Sequence, residues 1–273
     1  MEQTTGLQRN NQEKYYTKKA VVLSCLQVIK ENISIHPKDV IIEPSAGNGS
    51  FSIPLATLYN NVIAYDLYPD HKDIVQQDYL SLGYDEIREK YKKIHVIGNP
   101  PFGRQSTLAK RFIKKSCEYC DTISFILPKS FKKDSFQKTF PLRFHMIYQI
   151  DLPEHSFQVN GTDYNVPCVF QIWIKRETQR DVKEKVQPTY YSFVKKNENP
   201  DLSIRRVGVY AGQVSQEIDN KSPQSHYFIR LKKVDTKIFL EKYRRMVSFE
   251  DNNTVGARSI SKPELINEMN KLF

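Results

Sequence analysis

Asn99-Pro100-Pro101-Phe102 closes an apolar run (Ile94, Val96, Ile97) and brings two hydrogen-bond acceptors and a ring together within four residues. An exocyclic amine on a purine is a poor nucleophile, because its lone pair is delocalised into the ring. Two acceptors placed on its hydrogens favour a pyramidal nitrogen and turn that lone pair towards an electrophile. The Asn99 side-chain oxygen supplies one acceptor, and the Pro100 carbonyl can supply the other. Pro100 and Pro101 restrict the backbone, so the acceptors are preset. Phe102 offers a face on which a flat base can stack. No strong general base is required, since the nucleophile is a neutral amine whose proton leaves afterwards to water. Taken alone, the tetrapeptide is also simply a turn that ends a strand.

A second stretch lies about fifty residues earlier, where Glu43-Pro44-Ser45-Ala46-Gly47-Asn48-Gly49-Ser50-Phe51 follows the apolar run Val40-Ile41-Ile42 and opens a helix. Glycines there let the backbone turn sharply and approach a ligand, and Glu43 at the strand end can accept hydrogen bonds. The dinucleotide pattern Gly-x-Gly-x-x-Gly would need a third glycine at position 52, where Ser52 stands. Asp66 ends the next apolar run, where an acid can take both hydroxyls of a ribose. Asp78 and Tyr79 follow a third, shorter run; the acid could accept from an adenine amino group while the ring packs on the base. Singly, each acid reads better as a helix cap or a loop residue.

These residues need elements that bring them together. Strand-like runs occur at 40–42, 62–65, 95–97, 123–127, 146–150 and 166–174, and helix-like stretches at 17–33, 52–59, 85–92, 107–119 and 134–140. Strands separated by helices predict an α/β fold: a doubly wound, mostly parallel sheet, with the last two strands an antiparallel edge hairpin. Ligands bind such sheets at the carboxyl ends of the strands, which is where the motifs fall. The pattern predicts a catalytic domain over 1–176 with an N-terminal helical segment at 1–36. A charged linker follows over 177–188, and then a basic, small α+β C-terminal region over 189–273. Ser261-Lys262-Pro263-Glu264 is a capping box that should start a last helix over 262–272.

The 273 residues carry 41 Lys+Arg against 31 Asp+Glu, a net charge of +10, which favours a polyanionic partner. Nucleic acid comes first, an anionic membrane surface second. The polar N-terminus has no apolar leader, and no stretch approaches the roughly 20 apolar residues of a membrane span, so a soluble intracellular protein, cytoplasmic or nuclear, is expected. Cys25, Cys117, Cys120 and Cys168 make no disulfide framework. Cys117-Glu-Tyr-Cys120 lacks a second pair of ligands, so no metal site is expected and two thiols facing a core are the better reading.

Loop, acid, acid and Asn-Pro-Pro-Phe, in that order, resemble the S-adenosylmethionine-dependent class I N6-adenine methyltransferases of γ-type motif order. The likeness runs from about Lys14 to Arg176. Protein-glutamine methyltransferases usually carry an Asp-x-Gly-x-Gly-x-Gly loop instead. The resemblance implies S-adenosyl-L-methionine as cofactor, held by Tyr16, Thr17, Glu43, Ser45, Gly47, Gly49, Phe51, Asp66, Asp78 and Tyr79. Thr17 is equally readable as a helix N-cap. It implies Asn99, Pro100, Pro101 and Phe102 as the catalytic residues. Phenylalanine in the fourth position points to adenine N6, and Phe157 would be a second aromatic against the target base, with Tyr164 as its competitor and a core ring as the plain alternative. A base in a duplex must be flipped out to reach such a site. Arg104, Lys129 and Lys132, with Arg205, Arg206, Arg230, Arg244 and Arg245 of the tail, are candidates for the nucleic-acid backbone or a solvated face. DNA is the expected substrate and cap or ribosomal RNA the alternative; a catalytically silent nucleic-acid-binding fold would lack the intact Asn99 and glycines. A homodimer or a protein partner stays open.

Overall fold

The computed structural model describes residues 15–159, 161–181, 186–249 and 258–273. The polar stretch 1–14, including Lys14, and part of the expected linker, 182–185, lie outside the described residues. The chain separates into two compact units, residues 8–182 and 183–273.

The first unit begins with a two-residue strand, β1 (Tyr16–Thr17), and helix α1 (Lys19–Asn32), which buries Val21, Val22, Cys25, Leu26 and Ile29 at helical spacing. Thr17 therefore belongs to a strand rather than to the helix, and the residue capping α1 is Lys18, without a side-chain bond. There follow β2 (Val40–Glu43), α2 (Ser52–Leu58), β3 (Val62–Asp66), β4 (Val75–Gln76), α3 (Asp85–Lys90), β5 (Ile94–Gly98), α4 (Thr107–Tyr119) and β6 (Thr122–Pro128). The unit closes with α5 (Asp134–Gln137), β7 (Phe144–Asp151), β8 (Phe157–Val159), β9 (Thr162–Tyr164) and β10 (Cys168–Lys175). Helix α5 is a single turn where the sequence pattern predicts a longer one. Phe140 precedes Pro141, which disfavours helical backbone, and its N–H bonds back only to the Gln137 carbonyl, 3.1 Å away.

Seven strands form one sheet in the order β4-β3-β2-β5-β6-β10-β7. β2 pairs in parallel with β3 and β5, and β5 with β6. β10 runs antiparallel to both of its neighbours. β2, β5 and β6 are buried along their whole length, which is why they read as unbroken apolar runs rather than as alternating ones. Helix α4 packs Ala109, Phe112, Ile113, Ser116 and Cys117 inward. Cys117 and Cys120 belong to the core cluster with Phe125, Leu127 and Trp173, and burial raises both thiols above their ordinary range. A separate small sheet, β1-β8-β9, sets Tyr16 opposite Gln158 and Thr17 opposite Phe157.

The second unit holds an antiparallel sheet, β11 (Tyr191–Val194), β12 (Leu202–Arg205), β13 (Val214–Ser215) and β14 (His226–Leu231), in the order β11-β14-β12-β13. Helices α6 (Thr236–Met246) and α7 (Lys262–Met269) complete it. Its core gathers Tyr191, Leu202, Ile204, Ile229, Phe239 and Leu265. β12 stops at Arg205, because the chain turns through Gly208 and the Gly212 N–H bonds back to the Arg205 carbonyl at 2.7 Å. The capping box is formed: Ser261 N–H donates to Glu264 Oε2 at 2.7 Å, and Glu264 N–H to Ser261 Oγ at 3.4 Å. Among the described residues, no helix is long and apolar enough to cross a membrane.

Candidate active site

The loop after β2 is shaped by its glycines. Gly47 has φ +55°, and a Cβ there would stand 3.0 Å from Tyr16 Cε1. Gly49 has φ +85°, with Ile53 Cδ1 only 2.7 Å from the same ideal position. Both backbones are left-handed and walled in, which glycine alone accepts without strain. Asp66, at the end of β3, organises this loop: its Oδ2 accepts from Gly47 N–H at 2.7 Å and its Oδ1 from Tyr68 N–H at 2.8 Å. Gly47 in turn accepts from Asp70 N–H at 2.9 Å, and the Tyr16 hydroxyl donates to Asp70 Oδ2. Burial, followed by the Asp70 partner, raises the Tyr16 hydroxyl above its ordinary range. Tyr16, Gly47, Asp66 and Asp70 are thus one connected rim.

Glu43 lies beneath it, 2% exposed, with Oε2 buried and without a partner among the described residues. Burial pushes its carboxyl well above the usual carboxylate range, with Ser52 opposing in part. Gly98, the last residue of β5, lets this happen: a Cβ there would come 3.2 Å from Glu43 Cγ. The glycine loop and Asn99 are therefore adjacent because β2 and β5 are parallel neighbours, with Ile42 opposite Val96.

Asn99 Nδ2 donates to Thr17 Oγ1 at 3.2 Å. Its Oδ1 is buried and has no partner among the described residues. No donor among those residues reaches the Pro100 carbonyl either. Pro100 is buried, Pro101 exposed and Phe102 half-buried at the edge of the core. The Phe102 carbonyl accepts from Leu108 and Ala109 N–H at 3.1 and 3.3 Å, which ties the tetrapeptide to the start of α4. Between them, Gly103 (φ +67°), Gln105 (φ +52°) and Ser106 (φ +59°) are left-handed. The two non-glycine residues hold conformations that cost of order 1 kcal/mol each, and such strain clusters at functional sites.

Two expected ligand residues, Tyr79 and Phe51, are buried in the core. Tyr79 is a correction: its ring is 1% exposed and stacks on Phe112 at 5.4 Å, and its hydroxyl bonds Ser116 Oγ at 2.7 Å and Tyr119 Oη at 2.5 Å, so it has no face for a base. Phe51, 1% exposed, supports the loop from the core rather than lining it. Asp78 is exposed and caps the turn after it, accepting from Leu80 N–H at 2.9 Å. Ser45 is half-buried on the loop. Phe157 is buried opposite Thr17, the core alternative; the half-buried ring of that edge is Tyr164, edge-on to Tyr15 at 5.1 Å. Asp70 and the Tyr15–Tyr164 pair were not singled out as a unit from sequence, since no spacing marks them.

Arg104 is exposed beside Phe102 in the chain. Lys129 and Lys132 both pair with Asp151, at 3.1 Å each, which offsets part of their charge. In the C-terminal unit, Arg205 Nε donates to the Val207 carbonyl at 3.0 Å and Arg230 donates to the carbonyls of Glu198 and Asn199. Arg244 and Arg245 are exposed on the last turn of α6.

No family model and no curated protein matches the chain. Among solved structures it is similar to a Pyrococcus horikoshii protein provisionally assigned as an RNA methyltransferase, with 18% identity over 63% of this chain and 92% of that one, at a TM-score of 0.44. It is also similar to the DrdV–DNA complex, with 13% identity over 59% of this chain and 26% of that one, at 0.43. A third is the S-adenosylmethionine-bound magnesium protoporphyrin IX methyltransferase of Synechocystis, with 15% identity over 58% and 79%, at 0.41. The strand order itself, with β10 as the single reversed strand inserted beside the edge and the glycine loop after β2, is a Rossmann-like, doubly wound α/β architecture.

Proposed function

We propose that the chain is an S-adenosylmethionine-dependent methyltransferase acting on the N6 amino group of adenine in nucleic acid, with DNA as the substrate. The observation that carries the reading is Asn99: its amide nitrogen is engaged by Thr17, while its buried oxygen is left without a partner among the described residues at the carboxyl end of β5.

The residues present fit the cofactor. Two left-handed glycines open the backbone of the loop, Asp66 fixes it, and Glu43 keeps a buried oxygen unpartnered beneath it. Tyr16, Glu43, Ser45, Gly47, Gly49, Asp66 and Asp78 would hold it, with Phe51 and Tyr79 supporting from the core and Thr17 engaged with Asn99. Bound there, S-adenosylmethionine supplies an electrophilic methyl group. Asn99 Oδ1 and the Pro100 carbonyl accept from the two amine hydrogens and direct the nitrogen lone pair away from the ring. Phe102 stacks on the base, with Tyr164 as the second aromatic. The proton leaves to water, so no side chain must act as a strong base. A duplex adenine has to be flipped to reach these acceptors. The excess of 41 basic over 31 acidic residues supports a nucleic-acid polymer over a small metabolite.

The test is incubation with isotopically labelled cofactor and matched DNA and RNA oligonucleotides, digestion to nucleosides, and mass spectrometry. N6-methyldeoxyadenosine is expected, and Asn99→Ala should lower the rate by about a hundredfold or more while calorimetric cofactor binding is kept. Label in RNA alone would change the polymer. Label on cytosine, or none with the cofactor bound, would overturn the assignment.

A further inference from the structure

A cleft of about 720 Å³ opens wholly within the C-terminal unit. Lys195, Lys196, Arg206 and Lys262 line it beside Phe193 and Tyr227, and no Asp or Glu is among the described lining residues. Lys262 Nζ lies 4.6 Å from the centre of the Phe193 ring and 5.9 Å from that of Tyr227. The Arg206 guanidinium carbon is 5.2 Å from the Tyr227 ring, and its Nε is buried without a hydrogen-bond partner among the described residues. Lys262 is moreover the first residue of α7, where the positive end of the helix disfavours a cation. Glu264, two residues on, accepts from the Ser261 N–H through its carboxylate. Lys196 is satisfied by the Asp219 carbonyl at 2.7 Å. Arg206 and Lys262 are thus gathered at the Tyr227 ring, where their like charges repel and ring faces are their contacts.

An anion would relieve that repulsion, and the rings select an anion carried on a flat aromatic group. A phosphate joined to a base meets both demands, whereas a lipid headgroup would leave the rings unused. The volume is that of an ordinary ligand site. A base can enter such a cleft only when it is unstacked, as in a single strand. We propose that this cleft binds a nucleotide of single-stranded nucleic acid, with its base on the Phe193 ring and its phosphate between Arg206 and Lys262. On binding, the Lys262 ammonium moves from the ring face to the phosphate. The site holds none of the residues assigned to methyl transfer, so the inference stands apart from the function proposed above.

The test uses the full chain without cofactor and fluorescence anisotropy with labelled single-stranded DNA, single-stranded RNA and duplex DNA, each strand also prepared with an abasic centre. Phe193→Leu, which keeps an apolar side chain and removes the ring, should weaken binding of the base-bearing strands roughly tenfold and leave the abasic strands within about twofold. Lys262→Glu, compatible with the first turn of a helix, should weaken base-bearing and abasic strands alike and lower the slope of log affinity against log salt by about one. The tighter of the DNA and RNA arms identifies the sugar the site accepts, and equal binding identifies one that ignores the 2′-hydroxyl. Wild-type affinity in both variants, an equal loss for abasic strands in Phe193→Leu, or a preference for duplex would overturn the proposal. Because no methyl transfer is measured, a failure here leaves the reading of Asn99 standing, and a failure of methylation leaves this cleft testable.

Discussion

Replacing Thr17 by valine tests whether Asn99 is held in place for chemistry. The two side chains nearly match in shape and both are β-branched, so β1 keeps its pairing with β8 and the 6% exposed position stays filled. What disappears is the acceptor 3.2 Å from Asn99 Nδ2. A neutral hydrogen bond of this kind contributes about 1 kcal/mol net, and a buried donor left unsatisfied costs up to about 3 kcal/mol. If that energy holds the amide with its oxygen free for the target amine, the rate should fall by about fivefold at the lower figure and about a hundredfold at the upper. Initial rates with labelled cofactor should therefore show the loss in kcat, with KM for S-adenosylmethionine unchanged. Thr17→Ser, which restores the hydroxyl, should recover most of it. A kcat within about twofold of the native protein, or a loss undiminished in Thr17→Ser, would refute the claim that this hydroxyl orients Asn99. A rise in KM alone would assign Thr17 to the cofactor instead.

Gly47→Ala should lower cofactor affinity by roughly tenfold in calorimetry, since the methyl group meets Tyr16 at 3.0 Å and the φ of +55° adds strain of about 1 kcal/mol. Glu43→Gln should alter stability in a pH-dependent way. The folded protein keeps a proton on Glu43 that the unfolded chain releases near the ordinary value of 4.5, so native stability falls as pH rises above that value, up to the raised folded-state pKa. The variant lacks this fall. Its Tm in scanning calorimetry should exceed the native one by a few degrees at neutral pH, with the gap closing towards about pH 4.5, and a gap that widens on acidification would contradict the assignment. Arg180 donates to the carbonyls of Gln137, Phe140, Pro141 and Phe144 and lies over Trp173 at 5.2 Å. Arg180→Ala should lower Tm by about 5–10 °C, and Arg180→Lys should restore little because it lacks the planar fork.

The sheet could be read from the sequence because its central strands are buried on both faces and so stand out as apolar runs punctuated by amphipathic helices. The loop after β2 and the turn after β5 could be read for a related reason: glycine and proline report backbone demands directly. Tyr79 shows where this fails. A tyrosine next to an acid after a strand has the same sequence appearance whether its ring meets a ligand or Phe112, and only the hydroxyl chain to Ser116 and Tyr119 decides it. The small sheet that joins Thr17 to Phe157 was equally hidden, because strands of two or three residues have no period to detect. Its consequence is chemical, since it is what carries Thr17 to Asn99. β7 and β10 were legible as strands, but their spatial order was not: local pattern says that two strands follow one another, not that the later one slips inside.

That slip has a consequence for how the protein is made. β6, buried along its whole length, has no neighbour on its outer side until β10 arrives, about forty residues later in the chain. As the polypeptide leaves the ribosome, everything from β2 to β7 is available before the strand that finishes the sheet. Until then β6 is an apolar edge with open backbone donors and acceptors, the kind of template that recruits other chains. Nascent chains stalled or cleaved before Cys168 would carry nearly the whole candidate catalytic centre and yet be the species most prone to cluster, so the quality of the final protein depends on the prompt delivery of eight residues.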